Sequence, residues 1–183
     1  LPTGESWPCS LTTQLQQKIN AEIHRLMRLL NMKTGPLIFE VLVDDKENIY
    51  ILDIGVRNSG DLTKVIHDVD GIDLIEYTIK AALGEDCSQL EMGKSDGYWG
   101  YYTIISENSG LFLGLEIEGQ FNLNNVVKYE KSNIGIAHQI KAGEMIGTML
   151  LSFSSMDEML EKMDDIKKWL KVTIEDSTIV RNS

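Results

Sequence analysis

Two short apolar runs, Leu37–Val43 and Ile49–Ile54, stand on either side of five polar residues, Asp44-Asp45-Lys46-Glu47-Asn48. Both runs are short and rich in β-branched and large apolar residues, so they read as strands. The polar stretch is brief enough to fold them back as an antiparallel hairpin. Side chains alternate across a strand, so Glu40 shares a face with Ile38 and Leu42. Asp53 shares a face with Gly55 and Arg57 for as long as the second strand stays extended. A connection of even length would set Glu40 opposite or diagonal to Asp53 on one face.

The rest of the chain arranges itself around this hairpin. After a loop-like start (Pro2, Gly4, Pro8), residues Thr12 to Leu30 carry Leu15, Ile19, Ile23, Leu26 and Leu30 at helical spacing, with Ser10, Thr12 or Thr13 as the N-cap. Lys33-Thr34-Gly35-Pro36 stops that helix. Beyond Gly60, Asp70 is placed to cap a helix over Ile72–Leu83, which Gly84 ends. From Glu85 the character changes. A polar loop, Asp86–Gly97, leads to short strand candidates at Tyr98–Ser106, Leu111–Glu118, Val126–Tyr129, Ile134–His138 and Met145–Phe153. Ser109-Gly110 reads as a hairpin turn. A last helix starts at Ser155, whose spacing to Glu158 makes a capping box, and carries Met159, Met163, Ile166 and Leu170. Val172–Ile174 adds a final strand. The class is α+β, with one region over 1–84 and a small β-rich region with one terminal helix over 85–183.

A chain of 183 residues can bury one good core or two small ones. Its net charge of −11 argues against nucleic acid as a partner, because phosphate binding needs a basic face. The acidic residues near the end, from Asp157 to Asp176, read as a solvated helix face. No run is apolar for long enough to span a bilayer, and no basic-then-apolar leader follows Leu1. A chain that opens without Met reads as an excised fragment or a processed product. Cys9 and Cys87 are too few for a disulfide framework or a metal knuckle, which points to ordinary thiols in a reducing cytoplasm.

Two carboxylates facing each other among apolar neighbours repel one another and resist desolvation. A divalent cation resolves that conflict, and Mg²⁺ takes one or two carboxylates before completing its octahedron with water and phosphate oxygens. Arg57 stands beyond the pair, where it could steady a phosphoryl group or hold a carboxylate. Asn58-Ser59-Gly60 has no bulky side chain, so its backbone N–H groups could approach an anion closely. The same residues also fit a plainer arrangement, with acids on a solvated face and Arg57 pairing with Asp53 at the surface. Spacing alone leaves both open.

The stretch resembles the metal-binding hairpin of the ATP-grasp superfamily. There an acidic residue on one strand precedes a Glu-x-Asn-x-Arg segment that runs into a Gly-containing loop. Glu40 matches the first acid, Asp53 the Glu, Arg57 the Arg and Ser59-Gly60 the loop. Gly71-Ile-Asp-Leu…Ala81-Ala-Leu-Gly-Glu85 looks like the segment that follows. Gly143-Glu-Met-Ile-Gly147 with Ser155-Met-Asp-Glu158 resembles the small C-terminal subdomain of the amino-acid-ligase and carboxylase-like branches. The resemblance implies the second half of an ATP-grasp domain, an antiparallel sheet with helices. It also implies part of a carboxylate–amine ligase that forms an acyl phosphate. Glu40 and Asp53 would bind Mg²⁺ (or Mn²⁺) and through it ATP, Arg57 would be catalytic, and Asn58, Ser59 and Gly60 would face substrate or phosphate. Small-molecule carboxylates and amines are the implied partners, and a homodimer is left open.

Two departures qualify this. Gly55 stands where the superfamily has Asn, a ligand of the second metal. The lid with its phosphate-holding Lys residues would lie upstream of Leu1, so the segment alone is expected to be inactive. A rival expectation is a non-catalytic, degenerate ATP-grasp segment serving in binding or assembly. His24, His67 and His138 show no metal-ligand spacing and read as surface or structural residues, with His67 the one candidate to face substrate. Trp99, Tyr101 and Tyr102 read as cross-strand packing, and the methionines of the last helix as core.

Overall fold

The computed structural model describes residues 4–91, 93, 95–117, 126–131 and 138–175. The chain divides into two compact units: Ser10–Asp96, and a second made of the leading residues through Cys9 with everything from Gly97 onward.

In the first unit, α1 (Thr13–Leu29) is capped by the Thr12 hydroxyl, which accepts from the Leu15 N–H. The hairpin expected from the sequence is present as β2 (Ile38–Val43) and β3 (Ile49–Gly55), paired antiparallel. Asp44 builds its turn. One carboxylate oxygen accepts from the N–H groups of Lys46 and Asn48, the other from the Asn48 amide and the Tyr50 hydroxyl. Those bonds, Asn48 foremost, hold the Asp44 carboxyl below its usual range. Glu47, with φ of 59°, closes the loop and pairs with Lys18 of α1 at 2.7 Å.

Two helices follow, not one. The stretch after Ser59 forms α2 (Gly60–Asp70), whose Thr63 and Val65 are buried. Asp70 is therefore the last residue of α2, and Gly71, at φ of 70°, caps it in the left-handed conformation that favours glycine. The cap of α3 (Leu74–Ala82) is Asp73, whose carboxylate accepts from the N–H groups of Ile75 and Glu76. The expectation that Asp70 caps this helix fails because α2 occupies that residue. Burial in this unit is sparse. Leu15 and Val65 are buried, whereas Leu42, Tyr50, Leu52 and Val56 around the hairpin and Ile75, Ile79 and Leu83 along α3 are exposed.

The second unit holds the dense core. A four-stranded antiparallel sheet runs β1 (Gly4–Trp7), β4 (Tyr98–Ile105), β8 (Met145–Phe153), β6 (Val126–Lys131). A three-stranded sheet runs β7 (His138–Ile140), β5 (Gly110–Ile117), β9 (Leu170–Glu175). Gly4–Trp7 is thus a strand and not a loop, with Trp7 opposite Trp99 and Glu5 opposite Tyr101. Ser109-Gly110 is not a hairpin turn: β4 and β5 lie in different sheets, so the connection passes from one to the other. The expected strand at Ile134–His138 lies outside the described residues except for His138, whose ring packs against Phe112 with centroids 5.7 Å apart.

Ile104, Met149, Leu151 and Met159 are the most deeply buried apolar side chains. Met159 belongs to α4 (Met156–Asp164), where the Ser155 hydroxyl accepts from the Glu158 N–H. The helical stretch breaks at Asp165. The single turn α5 (Ile166–Trp169) follows, and Leu170 opens β9 in place of extending the helix.

Candidate functional site

The five-residue turn is odd in length. Counting back from Val43–Ile49, Leu42 meets Tyr50 and Val41 meets Ile51, so an unbroken ladder would place Glu40 opposite Leu52. Instead the register steps between Glu40 and Val41, and Glu40 pairs with Asp53. Leu52 is the extra residue of a β-bulge, a device that re-aims side chains. Exposure follows the shift: Leu52 and Asp53 are both exposed, as is Glu40, while Val41, Ile51 and Ile54 are half-buried. The two carboxylates are thus cross-strand partners on one face, with Cβ atoms about 5 Å apart by the geometry of such pairs.

Arg57 follows two residues after β3 ends. Its side chain lies back over Gly55, since a Cβ built there would sit 3.7 Å from Arg57 Cγ and 3.8 Å from Nε. Its Nη1 donates to the Asn58 carbonyl at 3.1 Å. The plainer arrangement, Arg57 paired with Asp53, is not what forms. The Asn58 side chain is engaged elsewhere, donating to the Thr78 hydroxyl at 2.8 Å and so tying the segment to α3. What Asn58 can offer an anion is its backbone.

Ser59 occupies the N-cap position of α2, and its carbonyl accepts from both the N–H and the hydroxyl of Thr63 at 2.7 Å. Its own hydroxyl makes no capping bond. Gly60 opens the helix, and a Cβ added there would meet nothing within 4 Å. Asn58-Ser59-Gly60 thus stands at a helix N-terminus, where unpaired N–H groups and the helix dipole favour an anion. Local patterning carries a signal for this helix: Leu62, Val65, Ile66 and Val69 recur at helical spacing, with Asp61 in the first turn and Gly71 beyond the last.

His67 is exposed in the last turn of α2, with Nδ1 3.6 Å from Asp68, and His24 is exposed on α1. Among the described residues no cluster of three or more His, Cys, Asp or Glu side chains could hold a metal. Glu40 and Asp53 offer two carboxylates, a set that would suit a hard cation completing its shell with water and phosphate oxygens and not an all-protein cage. No helix among the described residues is long and apolar enough to cross a membrane.

No protein-family model matches the sequence, and no curated protein matches it in sequence. Solved structures do match it in shape. An L-amino acid ligase from Bacillus licheniformis superposes with a TM-score of 0.75 at 18% identity, over 96% of this chain and 45% of its own. A phosphoribosylglycinamide synthetase from Anaerococcus prevotii gives 0.68 at 18% identity, over 96% of this chain and 46% of its own. The biotin carboxylase domain of the Hydrogenobacter thermophilus 2-oxoglutarate carboxylase, solved with MgADP, ADP and bicarbonate, gives 0.63 at 15% identity, over 94% and 39%. All three are ATP-grasp enzymes. Over the matched part, the chain shares the fold of these ATP-grasp enzymes. It spans less than half the length of these ATP-grasp neighbours, and at these identities the likeness is one of fold.

Proposed function

We propose that this chain is part of an ATP-dependent ligase that joins a carboxylate to an amine, with Glu40 and Asp53 holding Mg²⁺ (or Mn²⁺). The observation that carries the reading is the bulge that turns Asp53 onto Glu40's face, within the fold of known ATP-dependent ligases and carboxylases. A bulge that sets like charges opposite each other weakens the hairpin. A cation between them removes that conflict and supplies a counter-charge for nucleotide phosphates.

In this reading the carboxylate substrate is activated by phosphorylation from ATP as an acyl phosphate, and the amine then displaces the phosphate. Glu40 and Asp53 orient the nucleotide's phosphate end from the open face of the hairpin. Arg57, freed from Asp53 and held by a single bond to a backbone carbonyl, swings to steady negative charge on the acyl phosphate. Backbone N–H groups of Ser59 and Gly60 at the start of α2 hold the substrate's anionic end. Positioning and charge neutralisation are what such chemistry asks of a protein. The exposed apolar residues around the hairpin and along α3 fit a unit that the remainder of the fold covers. The setting is the cytoplasm, with Cys9 and Cys87 as thiols, and the substrates are small molecules.

The experiment is carboxylate- and amine-dependent release of ADP by the protein that carries this chain together with the rest of the fold. Release that falls at least a hundredfold in Arg57→Ala and Glu40→Gln supports the ligase. Silence across a broad panel of carboxylates and amino acids sinks it and favours the non-catalytic alternative, for which Gly55 in place of a side-chain ligand speaks.

A further inference from the structure

The second unit contains a cavity of about 270 Å³ between β4, the connection that follows it, α5 and β9. It shares no residue with the hairpin. Its floor is apolar: Tyr102, Ile104 and Leu170 are 6%, 1% and 7% exposed, and Val172 and Ile174 lie half-buried beside them. Its rim is charged with both signs. Glu107, Asn108, Lys167 and Lys171 line it, and Lys167 Nζ donates to Glu107 Oε1 at 2.6 Å.

That ion pair is 65% and 69% exposed, and pairs of this kind add little to stability. What it does is place an ammonium and a carboxylate side by side at the edge of an apolar hollow. A ligand with one charge meets a conflict there. An anion facing Lys167 sits beside Glu107, and a cation facing Glu107 sits beside Lys167. A zwitterion replaces one ion pair with two.

We propose that this cavity binds a free α-amino acid with an aliphatic side chain. Its carboxylate lies on Lys167, its ammonium on Glu107, and its side chain against Tyr102, Ile104 and Leu170. The volume falls just under the range of pockets that enclose drug-sized ligands, which suits a molecule of amino-acid size. With an exposed rim the affinity is weak, with Kd on the order of 1 mM.

The test is a ¹⁵N–¹H NMR titration of the intact chain, without nucleotide or metal, with L-leucine to on the order of 10 mM. Saturable shifts confined to residues 102–108 and 167–174 are expected. Binding should weaken roughly tenfold, about 1.4 kcal/mol, for 4-methylpentanoate and for isoamylamine, which each keep one charge. The variants Lys167→Met and Glu107→Gln change only exposed side chains, and each should weaken leucine binding to a similar degree. Val172→Trp, which fills the hollow, should abolish it. No saturable shift, shifts elsewhere, or equal binding by the two singly charged analogues overturns the proposal. Because the site shares no residue with the hairpin, that failure would leave the ligase reading standing.

Discussion

Glu40 faces Asp53 across the β2–β3 hairpin because Leu52 is looped out of the ladder between them. Without a cation, two like charges in that position oppose pairing. The chain alone should therefore gain slightly in stability when either acid is neutralised. Asp53→Asn or Glu40→Gln is expected to raise Tm by about 1 °C in metal-free buffer, measured by thermal unfolding. A fall of several degrees would show that the carboxylates have structural partners instead.

By the resemblance to the ATP-grasp hairpin, Gly55 holds the position of an Asn that would be a ligand of a second metal, and there is room for such a side chain. A Cβ there would make ordinary contacts, 3.7 Å from Arg57 Cγ and 3.8 Å from Ile38 Cβ. Gly55→Asn should fold with Tm within about 2 °C of the parent. In the presence of ADP, electron paramagnetic resonance should count one bound Mn²⁺ in the parent and two in the variant.

Glu158 provides a pH test of the second unit. Its carboxyl is pulled down from 4.5 to about 2, chiefly by the hydrogen bond from Lys162 and then by those from the Ser154 hydroxyl and N–H. A depressed folded pKa means stabilisation that is complete above the unfolded value and lost as the pH falls toward the folded one. Glu158→Gln should thus cost about 1 kcal/mol at pH 7, a typical loss for a helix N-terminal network. The gap to the parent should narrow as the pH drops from 4.5 to about 2, followed by urea unfolding at each pH.

Gly110, at the start of β5, lies hard against the end of β9. A Cβ at that position would lie 2.6 Å from the Glu175 carbonyl oxygen, a backbone atom that cannot step aside cheaply. Gly110→Ala should cost about 1–3 kcal/mol in chemical unfolding, as overpacking does. Gly60→Ala, with nothing within 4 Å, serves as the tolerated control.

Much of the architecture is written in local pattern. The β2–β3 hairpin, α1, β4 and β8 lie within a residue or two of where periodicity and turn residues place them, because each is long or bounded by strong breakers. The elements that escape are those fixed by distant partners. β1 is four residues long and exists by pairing Gly4–Trp7 with Trp99–Tyr102, nearly a hundred positions away. The sheet to which β5 belongs is likewise set by β9 and β7 and not by its neighbour β4. The α2 helix is a different case: its apolar spacing is visible at Leu62, Val65, Ile66 and Val69, but it competes with the loop chemistry suggested by Asn58-Ser59-Gly60. The acid pair itself was legible as residue types, whereas its alignment depends on a bulge, which leaves no mark in hydrophobic periodicity.

In the proposed function, Glu40 and Asp53 together hold a divalent cation. Paramagnetic broadening by Mn²⁺ with ADP tests it on the chain as it stands, read residue by residue in ¹⁵N–¹H spectra. Early loss of signal is expected at residues 39–41 and 52–54, with reversal by excess Mg²⁺ and disappearance of the effect in the double variant Glu40→Gln, Asp53→Asn. Broadening centred on other acidic residues, or unchanged in that variant, would contradict it.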